Sequence, residues 1–218
     1  MRIIETSLQK FRNKLTKRSR TDYIVLHHAD WPKCSVYDIH RSHLARGWAG
    51  IGYAYFVSKD GQIYRGRPHD AVGAHCEGYN SVSLGICAEG DYEDEWQMPS
   101  EQKNAIIALL VELKKVYPQA QIVGHRDLIA TSCPGKNYPF NEILQAVKTK
   151  QQIEEGTKVA ERWKVNIIQK GKDLELLNQD HDPDDVAAKW FAVALAIRLK
   201  EEINEVKETL NKIREALS

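Results

Sequence analysis

Tyr23-Ile24-Val25-Leu26-His27-His28 and Gln121-Ile122-Val123-Gly124-His125 are two stretches of one kind, each a short apolar run that stops at histidine. Short runs rich in Val, Ile and Tyr read as strands, so both place imidazoles at a strand's C-terminal edge. Outward from them, Tyr37 to Ala45 has helical spacing through Ile39, His43 and Leu44, and stops at Gly47. Tyr53-Ala54-Tyr55-Phe56-Val57, Lys59-Asp60-Gly61 and Gln62-Ile63-Tyr64 read as a hairpin, with Asp-Gly supplying the positive φ of its turn. Ser83-Leu84-Gly85-Ile86-Cys87-Ala88 reads as a buried strand. Pro99-Ser100 introduces a helix in which Ile106, Leu109, Leu110 and Leu113 recur at three and four, and Phe140, Ile143, Leu144 and Val147 mark another. Strands interleaved with helices predict an α/β fold, a central sheet covered by helices.

Composition narrows the partners. The 218 residues carry 31 basic and 30 acidic side chains, a formal charge of +1, which is not the basic balance of a nucleic-acid binder. Mean hydropathy is −0.51, and no run of apolar residues is long enough to span a membrane, so no stable membrane insertion is expected. Arg2, Lys10, Arg12, Lys14, Lys17, Arg18 and Arg20 are followed by no apolar stretch, so a secretory leader is not expected and synthesis is placed in the cytoplasm. Their basic run reads as a solvated face or as an attraction to anionic polymers. Four cysteines without an export signal read as core thiols or metal ligands rather than a disulfide framework.

The pattern changes after about Lys148. Residues 149–183 are polar, with Gly156, Gly171 and a turn-like Asp180-His181-Asp182-Pro183. From Asp184 the chain reads as one long helix, in which Leu199, Ile203, Val206, Leu210, Ile213 and Leu217 repeat at four and three, a heptad seam. At ~1.5 Å per residue such a helix reaches about 50 Å. Two domains are therefore expected, 1–148 and a small helical 149–218 that pairs copies of the chain, binds the surface on which the protein works, or both. Trp163, Trp190 and Phe191 offer aromatic surface for either role.

Reactive side chains concentrate at His27-His28, at His69 and His75, and between His125 and Cys133. The last reads Gly124-His125-Arg126-Asp127, then Thr131-Ser132-Cys133-Pro134-Gly135. A strand-end histidine followed by a cysteine before Pro-Gly can fold back so that both face one point, with His27 as a third donor. Zinc takes imidazole nitrogen and thiolate sulfur, and catalytic sites use three protein ligands plus water. That spacing alone also occurs by chance, and chemistry by itself leaves zinc and an inert thiol both open.

Further motifs join it in order: Ile24-Val25-Leu26-His27-His28, Gly52-Tyr53-Ala54-Tyr55-Phe56, Gly73-Ala74-His75 with Gly78-Tyr79-Asn80, and Ser83-Leu84-Gly85-Ile86. The series resembles the zinc-dependent N-acetylmuramoyl-L-alanine amidases, which include phage amidase-type lysozymes and animal peptidoglycan recognition proteins. The likeness covers roughly residues 20 to 147. It implies a mixed sheet flanked by helices with Zn2+ at the floor of a cleft, His27, His125 and Cys133 as ligands, and Tyr53 as the catalytic tyrosine. Thr131 stands where some members carry lysine and others threonine. His75 and Asn80 match cleft positions that contact the substrate, the alternative for His75 being an exposed loop histidine.

One branch of the family carries a glutamate base where this chain has Cys87, which leaves Glu89, two residues on, as a candidate base. His28 is read as packed or as a support for the neighbouring ligand, His40 and His43 as surface or packing residues, and Cys34, Cys76 and Cys87 as free thiols. The implied activity is hydrolysis of the amide between the lactyl group of N-acetylmuramic acid and L-alanine of bacterial peptidoglycan. The implied setting is a phage or prophage endolysin that reaches the wall after holin-dependent release. Alternatives are a cytosolic muropeptide-recycling amidase, a binding protein with a vestigial pocket, and a structural zinc domain with His28 or Cys87 as fourth ligand. Cys133 argues against the vestigial pocket, because binding-only members typically lose that ligand.

Overall fold

Short apolar runs build a mixed sheet whose strands are β1 (Ile3–Ile4), β2 (Tyr23–His28), β3 (Tyr55–Val57), β4 (Ile63–Arg65), β5 (Ser83–Ala88) and β6 (Gln121–Gly124), in the order β1-β4-β3-β5-β2-β6. The structure is a computed structural model and describes residues 2–6, 8, 11–173 and 187–216. Only β3 and β4 run antiparallel among these pairs; they form the expected hairpin. The helices are α1 (Val36–Ala45), α2 (Ser100–Val116), α3 (Phe140–Asp173) and α4 (Ala187–Ala216), with a single 3-10 turn at His125–Asp127.

β5 is buried along its whole length and β2 from Ile24 onward, as expected for parallel strands covered on both faces. One core holds Leu26, Leu84 and Ile86 with Ile106, Leu109, Leu110 and Leu113 of α2, and with Ile143 and Val147 of α3. A smaller one holds Val36 and Ile39 of α1 against Ile51, Phe56 and Cys87. Each such side chain removed from water contributes about 1.5–3 kcal/mol. α1 begins at a capping box: the Ser35 and Asp38 side chains accept from each other's backbone N–H, a cap worth about 1 kcal/mol.

The chain divides into two compact units, Met1–Gln151 and Gln152–Ser218. The helix expected to close near residue 148 instead continues to Asp173, through Gly156. The polar residues from 149 to 173 are mostly Lys, Gln and Glu, good helix formers, and a solvated helix tolerates a glycine costing about 1 kcal/mol. Within the second unit, Ile167 of α3 packs with Trp190 and Ile197 of α4, and Lys170 Nζ reaches Glu201 Oε1 at 2.9 Å. The turn at residues 180–183, the helix start at 184 and Leu217 lie outside the described residues.

Candidate metal centre and its cleft

β2 and β6 pair in parallel with Leu26 opposite Gly124. His27 and His125 therefore leave two adjacent strand ends side by side, with ring centroids 4.4 Å apart. Carboxyl ends of parallel strands are where open α/β sheets bind ligands. Beyond His125 the chain turns sharply, and the Gly124 N–H donates to Asp127 Oδ2 at 2.7 Å. It returns through Cys133, whose carbonyl accepts from the Arg126 N–H at 2.9 Å. Gly135 has φ +99°, and a Cβ there would lie 2.3 Å from the Tyr92 carbonyl carbon, so only glycine lets the loop close. The result places Cys133 Sγ 3.6 Å from His27 Nδ1.

One donor atom each from His27, His125 and Cys133 lies within 4.8 Å of the others. Two tetrahedral ligands at ordinary zinc distances sit ~3.5 Å apart, close to the His27–Cys133 spacing. His125 Nε2 is buried without a hydrogen-bond partner, so no protein donor or acceptor occupies that nitrogen. Burial, assisted by the neighbouring histidines, drives the His27 imidazole well below its usual value, and burial lowers His125 too. Both are neutral at neutral pH, as a ligand must be. Burial pushes the Cys133 thiol up to about 12, a shift that a bound cation reverses. These residues fit zinc. Among the described residues the cluster has three ligands; His28 Nδ1 is occupied by the Tyr92 N–H at 3.0 Å, and Cys87 is fully buried in the smaller core.

His75 lies beneath the cluster. Its Nδ1 is 3.0 Å from His27 Nε2 and its Nε2 3.4 Å from Ser83 Oγ, which donates to the Tyr79 carbonyl at 2.7 Å. Because the Ser83 hydroxyl proton is spent on Tyr79, Ser83 accepts from His75 Nε2–H. His75 Nδ1 then accepts from His27 Nε2–H, which leaves the lone pair of His27 on Nδ1, toward Cys133. The His75 ring fits only because Gly73 and Gly85 flank it; a Cβ would come within 2.4 and 2.6 Å of its atoms.

A cleft of about 430 Å³ opens over the three residues and is also lined by Arg46, Tyr53 and Thr131. The Tyr53 ring stands 5.0 Å from that of His27, and burial keeps its hydroxyl well above the ordinary tyrosine value, hence protonated. His40 and His43, one helical turn apart on α1, are buried. Their Nδ1 atoms accept from the N–H groups of Ile51 and Gly52 at 3.2 and 3.0 Å, which fixes the segment that presents Tyr53. Their i, i+3 spacing on the core face was the available signal. Thr131 Oγ1 accepts from the Cys133 N–H at 3.3 Å.

Three other residues lie elsewhere. Asn80 Oδ1 accepts from the N–H groups of His75 and Cys76 at 2.8 and 3.0 Å, and with His75 it lines an adjoining cavity of about 450 Å³ that also holds Trp48 and Arg67. Glu89 is not brought to the cleft. Its carboxylate accepts from the N–H groups of Cys34 and Lys59 at 3.1 and 2.8 Å and lines a separate cavity. The candidate base is thereby corrected to a loop anchor, because both oxygens serve backbone donors. His69 is also remote, bridging the hydroxyls of Tyr55 and Tyr117. Cys34, Cys76 and Cys87 are buried free thiols.

The family profile described as N-acetylmuramoyl-L-alanine amidase matches residues 17–136, more than half of the chain. An endolysin of Klebsiella phage KP32 is 35% identical over 134 residues, covering 56% of this chain and 85% of the phage protein. Among solved structures, the N-acetylmuramoyl-L-alanine amidase LysC from Clostridium intestinale is similar with a TM-score of 0.65 and 36% identity, over 68% of this chain and 98% of that one. Wild-type Drosophila PGRP-LB is similar with a TM-score of 0.59 and 28% identity, over 65% and 92%. The chain belongs to the N-acetylmuramoyl-L-alanine amidase family.

Proposed function

We propose that this protein cleaves bacterial peptidoglycan at the amide between the muramoyl lactyl group and L-alanine, with zinc held by His27, His125 and Cys133. The observation that carries this is the three-residue cluster of His27, His125 and Cys133 in a cleft that Tyr53 and Thr131 also line. When bound, zinc supplies Lewis acidity and acidifies water. Around it, the protonated Tyr53 hydroxyl donates to the oxyanion that develops on the scissile carbonyl, and Thr131 offers a second, uncharged donor. His75 holds the His27 ring by its remote nitrogen, so the ligand is oriented before metal arrives. Glu89 takes no part.

Among the described residues no helix is long and apolar enough to cross a membrane. We assign the protein a lytic role, reaching the wall from the cytoplasm after holin-dependent release. The helical unit holds none of the candidate metal clusters among its described residues, and its assigned role is accessory, wall attachment or pairing of copies. Mass spectrometry of digested peptidoglycan tests the activity. New L-alanine amino termini without new reducing sugars are expected; new reducing ends would make the protein a glycosidase instead.

A further inference from the structure

α4 carries two apolar stripes, and α3 covers one of them. Trp190, Ala194 and Ile197 pack on that side, and Glu201 extends it through its bridge to Lys170. At ~100° per residue, Leu199, Ile203, Val206, Leu210 and Ile213 lie roughly half a turn away, on the opposite face. They are 50%, 53%, 59%, 59% and 51% exposed, and every described side chain from Glu201 to Glu215 is exposed. An exposed line of five large apolar side chains is more than the scatter normal on a surface. Its four-three spacing is that of a coiled-coil seam, with Ile203 and Leu210 at a and Leu199, Val206 and Ile213 at d. Because the covered face is the opposite one, α3 cannot serve both.

We propose that this stripe pairs with the same stripe of a second copy, the two α4 helices running parallel and in register. Charge decides the direction. Lys200, Lys207 and Arg214 follow the d residues along one flank, whereas Glu202 precedes Ile203 on the other. A parallel pair sets each flank against the other kind, so Glu202 of one copy meets Lys207 of the second, twice by symmetry. An antiparallel pair sets Lys207 against Lys207 and Lys200 against Arg214, which repel. Glu202 already accepts from Arg198 Nε at 3.2 Å on its own helix. That exposed pair is weak and leaves the second carboxylate oxygen for the incoming ammonium.

Light scattering of the full chain over a concentration series reads the pairing without substrate, so its outcome is independent of the amidase assignment. A mass rising to twice 24.9 kDa is expected; a single-chain mass at every concentration overturns the proposal. Leu210→Asp removes the dimer while hydrolysis of soluble muropeptides is retained, which shows that the rest of the chain folds. Glu202→Lys and Lys207→Glu each weaken association about tenfold, and the chain carrying both returns to the original Kd. Equal Kd values in all four chains overturn the parallel arrangement.

Discussion

His27 Nε2 and His75 Nδ1 lie 3.0 Å apart, both rings buried, and the bond between them determines which nitrogen of His27 is left for a cation. Ser83 and Tyr79 complete the chain of donors, so the tautomer is settled by protein groups alone. Replacing His75 with alanine strands the His27 Nε2 proton. Zinc affinity should then fall about 10–100-fold. His75→Gln, which restores an acceptor, should recover part of it. Competition with a chelator measures both, and unchanged affinity in His75→Ala would remove the positioning role.

Glycine 85 is the quiet partner of that bond. A Cβ at this strand position lies 2.6 Å from His75 Cγ, so Gly85→Ala must displace the ring or the strand. A loss of about 1–3 kcal/mol in urea unfolding is expected, with weaker zinc binding. Gly156 is the contrast: nothing lies within 4 Å of its Cβ position on α3. Gly156→Ala should add about 0.5–1 kcal/mol to the helix, read as a higher midpoint of helix melting.

Much of this was legible in the chain. β2 stands out because a parallel strand buried on both faces needs an apolar run, the half-buried edge strand β6 shows only Ile122 and Val123, and the histidines that follow these runs mark the ligand edge. The Gly85 signal was present too, since glycine inside a strand marks a close approach; what it makes room for, His75 forty-eight residues from His27, depends on tertiary packing. Glu89 shows the limit of alternation, which gives the side of a strand and not what waits there: the Cys34 and Lys59 amides capture its carboxylate. The two-residue β1 is too short for any periodicity. The reach of α3 to Asp173 was hidden because polarity resembles a linker when read without helix propensity.

Tyr53→Phe tests the donor assigned to the oxyanion. The ring stays in contact with His27, so binding is kept while the transition state loses a hydrogen bond. A fall in kcat of about 10²–10³ with KM nearly unchanged is expected. An unchanged kcat would take the hydroxyl out of the chemistry.

Acid should destabilise the metal-free protein through its buried histidines. Burial, with Arg46 and Arg67 adding to it, holds His43 at about 4, and burial with His125 holds His75 at about 3, both below the usual 6.5. The unfolded chain therefore binds protons that the folded chain refuses. Stability is full above pH 6.5 and falls as pH drops from there toward the folded values, by up to about 1.4 kcal/mol per pH unit for each histidine. Urea midpoints that stay level on acidification would contradict this.

On the proposed assignment, His27, His125 and Cys133 hold the metal on which hydrolysis depends. Zinc content per chain after dialysis, measured in the unaltered protein and in Cys133→Ala alongside peptidoglycan hydrolysis, tests it most directly. One zinc per chain is expected in the first, with metal and activity lost together in the second. A Cys133→Ala protein that keeps its zinc and its full activity would contradict it.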